Sequence, residues 1–186
     1  QTKVQLNKPI YCGFSVLDLS KLHMYKFHYE VMKRRFPDLK LCFTDTDSLL
    51  YSIPTDNVYR DLAVIKDQFD FSNYPSDHHL YDVTNKAVPG KFKDETASIP
   101  IKEFIGMRAK QYSIRLDRPI NTSKGDVMEK RATSGVKSSV AAKHLCHDVF
   151  RRVFLEQTRV DVVQHVFECK NHKICTARKT RVGVSA

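Results

Sequence analysis

No stretch of this 186-residue chain approaches the eighteen or more consecutive apolar residues that a membrane-spanning helix requires, so no membrane partner is expected. The opening Gln1-Thr-Lys-Val has no basic-then-apolar signal-peptide pattern. An initiator Met is missing as well, and the chain is expected to be an excised piece of a longer protein. Paired cysteines are also lacking: the five (Cys12, Cys42, Cys146, Cys169, Cys175) are odd in number and scattered. That argues against a disulfide framework and predicts an intracellular, reducing compartment. Cys169, His172 and Cys175 have no second ligand pair at finger spacing and are not read as a zinc site. What is present, 41% hydrophobic and 28% charged residues, fits one folded domain or one domain with a small appendage.

The net charge of +10 is unevenly placed. Residues 1–100 hold 13 basic and 13 acidic side chains, whereas residues 101–186 hold 18 against 8. A neutral first half and a basic second half suit a chain that lays a polyanion across its second part. Solubility alone would produce the same imbalance.

The stretch from Leu41 to Ile53 organises the chain: an apolar segment, a very short acidic turn, and a second apolar segment, the outline of a β-hairpin. Its turn lacks the Asn-Gly or Asp-Gly of a minimal hairpin. Two carboxylates two residues apart, Asp45 and Asp47, stand there instead, and strand alternation would point both the same way. Like charges held so close need a cation or a proton, and hard oxygen ligands suit magnesium. A solvated acidic turn is the plainer alternative. Against it, a rigid ligand pair needs apolar flanks on both sides, as this one has.

Around this hairpin the periodicity predicts a helix over about 17–36, with Leu22, Tyr25, Tyr29, Met32 and Phe36 on one core face. A second is predicted over about 58–69, capped by Thr55 or Asp56. Residues 70–90 read as a long loop pinned by Tyr74, Leu80, Tyr81 and Val88, with His78-His79 as exposed neighbours. A strand pair is expected at 99–105 and 108–116, turning at Gly106-Met107. Arg108, Lys110 and Tyr112 then share a face, a cation and an aromatic side by side for sugar and phosphate. Turn-rich residues 117–135 predict a boundary. Beyond it come helices over 136–144 and 148–157, the second with Val149, Val153 and Phe154 inward and Arg151 and Arg152 outward, then strands over 160–169 and 173–185.

The run Phe43-Thr-Asp-Thr-Asp-Ser48 resembles the third polymerase motif of family B DNA polymerases. Lys8-Pro-Ile-Tyr-Cys-Gly-Phe-Ser-Val-Leu-Asp-Leu-Ser-Lys21, Gly90-Lys-Phe-Lys-Asp-Glu95 and Glu103-Phe-Ile-Gly-Met-Arg-Ala-Lys-Gln-Tyr-Ser113 resemble, in the same order, the protein-primed branch of viruses, organellar plasmids and self-synthesising transposons. The resemblance covers most of residues 8–185. It implies an α+β fold, with an antiparallel palm-like sheet carrying the catalytic hairpin, backed by two helices, and a small mixed thumb-like extension. Residues 1–117 would be the C-terminal part of the palm, and 118–186 the junction and beginning of the thumb.

By the same resemblance Asp45 and Asp47 are catalytic magnesium ligands, with Asp47 the principal one, and Thr46 and Ser48 shape the turn. Lys110 and Tyr112 match the Lys-x-Tyr signature that touches primer-template. Gly135, Val136 and Lys137 look like a Lys-Gly-Val-Lys segment, with Ser138 where a further lysine is common. Arg108, Lys137, Lys143, Arg151, Arg152 and Lys179 complete the DNA-binding set. Partners are then a DNA primer-template, a deoxynucleoside triphosphate, and the missing N-terminal palm and fingers. The first-motif Asp, the fingers helix and the exonuclease carboxylates are not found in the chain. The expectation is a polymerase fragment inactive in isolation, or alternatively a non-catalytic, domesticated DNA-binding or protein-interaction domain. A homodimer through an exposed sheet edge is expected too, in a nucleus or at a viral replication site.

Overall fold

The structure, a computed structural model, describes residues 8–122 and 125–186. Residues 1–7, which include the opening four, and Ser123 and Lys124 within 117–135 lie outside the described residues. The architecture is mixed, with several small antiparallel sheets and five α-helical segments among the described residues. The chain divides into two compact units: Gln1–Asp70 with Asn85–Phe92, and Phe71–Thr84 with Lys93–Ala186. Among the described residues, no helix is long and apolar enough to cross a membrane.

In the first unit, helix α1 (Ile10–Lys26) continues through a π-helical segment (Phe27–Met32) into a last turn, α2 (Lys33–Arg35). The helix starts earlier than position 17. Pro9, with no N–H to give, sits just outside it, and Gly13 costs only about 1 kcal/mol in a helix interior. The expected core stripe is corrected: Leu22, Tyr25 and Tyr29 are 48%, 61% and 62% exposed. Met32 and Phe36 are buried as expected, and Met24, Phe27 and His28 join them in place of the other three. Steps of three and four fit either set, and the wider π turn re-phases the buried face.

Strands β1 (Lys40–Asp45) and β2 (Ser48–Ser52) form a hairpin with a bulge at Cys42. Leu49, Tyr51 and Ile53 pack against the buried cluster of Phe27, Met32, Phe36 and Leu39. Helix α3 spans only Val58–Ala63, followed by a 3-10 turn at Lys66–Gln68. Its cap is Asn57, not Thr55 or Asp56: the Asn57 side chain accepts the N–H groups of Tyr59 and Arg60, both at 3.1 Å. Phe69, expected to end that helix, lies in the short strand β3 (Phe69–Asp70), which pairs with β4 (Phe92–Lys93). Phe92 stacks on Phe27 with centroids 3.7 Å apart.

The second unit is built on β5 (Ile101–Arg108), β6 (Gln111–Thr122) and β7 (Gly125–Thr133), hydrogen-bonded in that order. The β5–β6 turn falls at Ala109-Lys110, not at Gly106-Met107. Gly106 lies inside β5 opposite Tyr112, where a Cβ would come within 2.9 Å of the Phe104 ring. The glycine serves a close ring approach, not a turn. Residues expected to form a boundary instead form most of the β6–β7 hairpin, so position 117 falls within β6. Of the expected loop pins, Tyr74 and Leu80 are buried, but Tyr81 and Val88 are each 41% exposed.

Two helices follow, α4 (Ser138–His144) and α5 (His147–Glu156), then the long hairpin β8 (Arg159–Lys170) and β9 (Lys173–Ser185). Its turn residues Asn171 and His172 both have positive φ, as a two-residue primed turn requires. Ile105, Leu145, Phe150, Val153, Val162 and Val184 form the core of this unit. On α5 it is Phe150, not Phe154, that turns inward with Val153.

One expectation about the sheets is overturned. The acidic hairpin and the β6 strand carrying Tyr112 belong to separate sheets, not to one palm-like sheet. Both edges of the β1–β2 ribbon lack a further strand among the described residues.

Candidate functional site

The acidic turn is tighter than strand alternation alone would make it. Asp45 closes β1 opposite Ser48, leaving Thr46 and Asp47 as the connecting pair. Thr46 takes φ +54°, a left-handed conformation unusual for a β-branched residue. The Asp47 amide donates to the Asp45 carbonyl at 2.6 Å, closing a three-residue γ-turn centred on Thr46. The Ser48 hydroxyl donates to that same carbonyl at 3.2 Å, and the Thr46 hydroxyl donates to Asp45 Oδ1 at 3.1 Å. Both hydroxyls of the turn therefore orient Asp45, while Asp47 is exposed.

Cross-strand pairing puts Phe43 opposite Leu50 and Asp45 opposite Ser48, all on the face away from Leu49. Leu49 and Tyr51 hold the ribbon to the core. The Tyr51 ring lies parallel to His28, and its hydroxyl is 3.0 Å from His28 Nδ1. Burial pushes the Tyr51 phenol upward. Burial, then the neighbouring Lys33, lowers His28. Both shifts favour the uncharged form, and the two groups share one hydrogen bond. The hairpin thus has a rigid root and an exposed acidic tip.

The donor chemistry of that tip fits a largely hydrated magnesium held by one or two carboxylates. Among the described residues, no three His, Cys, Asp or Glu side chains are grouped to hold a metal, so the tip alone makes no two-ion cage.

The basic residues expected to meet DNA are all in the second unit, whereas Asp45, Thr46, Asp47 and Ser48 are in the first. Lys110 and Tyr112 are not neighbours on one strand face. Lys110 occupies the β5–β6 turn at φ +57°, and Tyr112 lies on β6 with its ring 6.2 Å from that of Phe104. Arg108 ends β5 opposite Gln111.

Lys137 precedes α4, its amine 6.0 Å from the Phe167 ring centre. The segment before α4 is clasped by Gln164 of β8, whose side chain accepts from the Lys137 amide and donates to the Gly135 carbonyl, each at 2.8 Å. Gly135 has φ +84°, which a glycine tolerates without strain. Lys143 and Arg152 are exposed. Arg151 donates to Glu103 Oε1 at 3.2 Å, and Lys179 pairs with Glu168, so two of the expected phosphate contacts already hold carboxylates.

A polar network in the second unit has no counterpart in the sequence reading. The Ser113 hydroxyl is 2.9 Å from His147 Nδ1, and His147 Nε2 is 3.1 Å from Glu103 Oε2. A carboxylate only accepts, so Nε2 carries a proton and donates to Glu103. The His147 hydrogen bond is the main cause holding the Glu103 carboxyl below its ordinary range. Arg151 assists, and partial burial opposes it.

Ser, His and Glu in a row resemble a hydrolytic triad, but Ser113 and His147 are both 0% exposed, leaving a substrate no approach. The network docks α5. Glu129 of β7 accepts the His147 amide at 2.9 Å, capping a helix whose own cap residue, Cys146, makes no side-chain bond. Buried Gln111 and Ser113 alternate along β6, a polar-inward pattern that an apolar-inward reading of strands passes over.

No family model matches the chain, and neither a curated protein nor a solved structure gives a match. All five cysteines are exposed and free, consistent with a reducing environment.

Proposed function

We propose that this chain is the C-terminal palm and beginning of the thumb of a DNA-directed DNA polymerase of family B type. In that reading it contributes carboxylates for metal and basic side chains for primer-template. The observation that carries it is the acidic tip: two carboxylates on a γ-turn, rooted in a packed core through Leu49 and Tyr51. Left-handed Thr46 and the two hydroxyl bonds to Asp45 support the reading in so far as they fix the geometry of the turn that carries the carboxylates.

Asp47 is then the principal magnesium ligand and Asp45 the weaker, its Oδ1 already engaged by Thr46. A bound magnesium supplies charge neutralisation at the triphosphate and a more acidic primer hydroxyl. This chain's own residues hold the two carboxylates at a fixed height and present cations for the DNA backbone. Primer extension by the chain alone is expected to give no product. The site of action would be a nucleus or a viral replication compartment.

The test uses Mn2+ as a magnetic probe. Titration should broaden the NMR amide signals of Thr46 and Ser48 first, with the effect lost in Asp47→Asn and reduced in Asp45→Asn. Broadening that is uniform along the chain, or unchanged by both substitutions, would sink this reading. A second reading, a non-catalytic DNA-binding or protein-interaction domain, is favoured by the lack of a third ligand grouped with the pair among the described residues. It predicts salt-sensitive DNA binding without selective Mn2+ broadening.

A further inference from the structure

Helix α1 is exposed along residues 10–23, although it is one of the most apolar segments of the chain. Among the described residues, its anchoring contacts lie toward its C-terminal end. His23 Nε2 is 2.9 Å from the Gly90 carbonyl oxygen, its ring stacks on Phe92, and Met24 and Phe27 enter the core. A helix rich in apolar residues and left in water lacks the cover that stabilises it.

At about 100° per residue, Ile10, Phe14, Leu17, Leu22 and Tyr25 fall within one arc of roughly 140°, with Asp18 and Lys21 inside it. Tyr29 extends that stripe by a turn. Each apolar member is between 45% and 73% exposed. Together the six present roughly 700 Å², close to the ~800 Å² that each partner of a standard interface covers and beyond the patch of a few hundred Å² common on monomers.

The order of residues on this arc selects its occupant. When two copies of α1 lie antiparallel about a two-fold axis midway between Asp18 and Lys21, Asp18 of each copy faces Lys21 of the other. The same register sets Leu17 opposite Leu22, Phe14 opposite Tyr25 and Ile10 opposite Tyr29. One axis thus matches charge with opposite charge and apolar with apolar along the whole stripe, as an isologous interface requires. We infer that a second copy of this chain covers α1, forming an antiparallel helix pair in that register. The surface is the helix face, not the open edge of the β1–β2 ribbon, and the inference does not depend on the polymerase reading.

Sedimentation velocity and light scattering on the chain test it. A dimer with a dissociation constant of about 10 µM or tighter is expected. Phe14→Glu, which touches no core residue, should weaken it at least about 100-fold while circular dichroism stays unchanged. The charge exchange gives the sharper readout. Asp18→Lys and Lys21→Asp should each weaken the dimer about fivefold, and the double variant should restore it, because the pair occurs twice across the axis. A monomer at concentrations well above 10 µM overturns the inference, as does a dimer indifferent to Phe14→Glu or a double variant no better than the singles. Mn2+ broadening at the acidic tip is read separately, so failure of one proposal leaves the other standing.

Discussion

Thr46 sits in a conformation that costs an L-residue roughly 1–2 kcal/mol, because its Cβ crowds the following carbonyl. Replacing it with glycine removes the strain and also the hydroxyl bond to Asp45. Thr46→Gly is expected to stabilise the chain by about 0.5–1 kcal/mol in urea unfolding, while weakening Mn2+ binding at the tip. A loss of stability would show that the threonine is not strained.

Glu103 offers a second test on a single side chain. Its carboxyl is lowered first by the His147 hydrogen bond, so the folded state favours the ionised form. The stabilisation is complete above the ordinary glutamate range, and it is lost as pH falls through the depressed folded value. Stability should therefore decline below about pH 4, and Glu103→Gln should flatten that acid limb in denaturant titrations at stepped pH. An unchanged limb would mean that the carboxyl is not held by His147.

Elements in this chain are placed by single side chains reaching between them. Gln164 of β8 bridges the two backbone groups flanking Val136 and is 4% exposed. Gln164→Leu keeps the volume but strands the Lys137 N–H and the Gly135 C=O. The expected cost is about 2–3 kcal/mol in chemical unfolding, with α4 amides exchanging faster than those of α5. Much of this level was readable beforehand: the β1–β2 hairpin, α4, α5, and the β8–β9 pair all fall close to the expected bounds. The β5–β6 turn was not, because Gly106 signals a bend equally well whether it turns the chain or admits the Phe104 ring. Helix faces were misread for a related reason. Leu22, Tyr25 and Tyr29 satisfy helical spacing as well as Met24, Phe27 and His28 do, and only packing selects the buried set, while Met32 and Phe36 are buried as the spacing expects.

At the scale of the molecule the charge asymmetry is the property most open to measurement. Binding to duplex DNA is expected to weaken steeply with salt, because contacts to phosphate release counterions. Lys143→Glu should lower the salt slope by about one and weaken binding regardless of sequence. Lys179→Glu should do less, since Lys179 already pairs with Glu168. Filter binding or fluorescence anisotropy across a salt series distinguishes the two. Binding indifferent to salt would remove the nucleic-acid interface.

Composition and order alone set the acidic turn, the basic second half, the free cysteines and the positions of most elements. Those properties follow from local preferences and residue counts, which a chain carries before it folds. Tertiary structure decided that Met24, Phe27 and His28 are buried and left Leu22, Tyr25 and Tyr29 bare. It also separated the acidic ribbon from the sheet bearing Tyr112, and it drew Ser113, His147 and Glu103 together from positions 34 and 44 residues apart. Such choices depend on partners distant in sequence, and spacing along one segment holds no record of them.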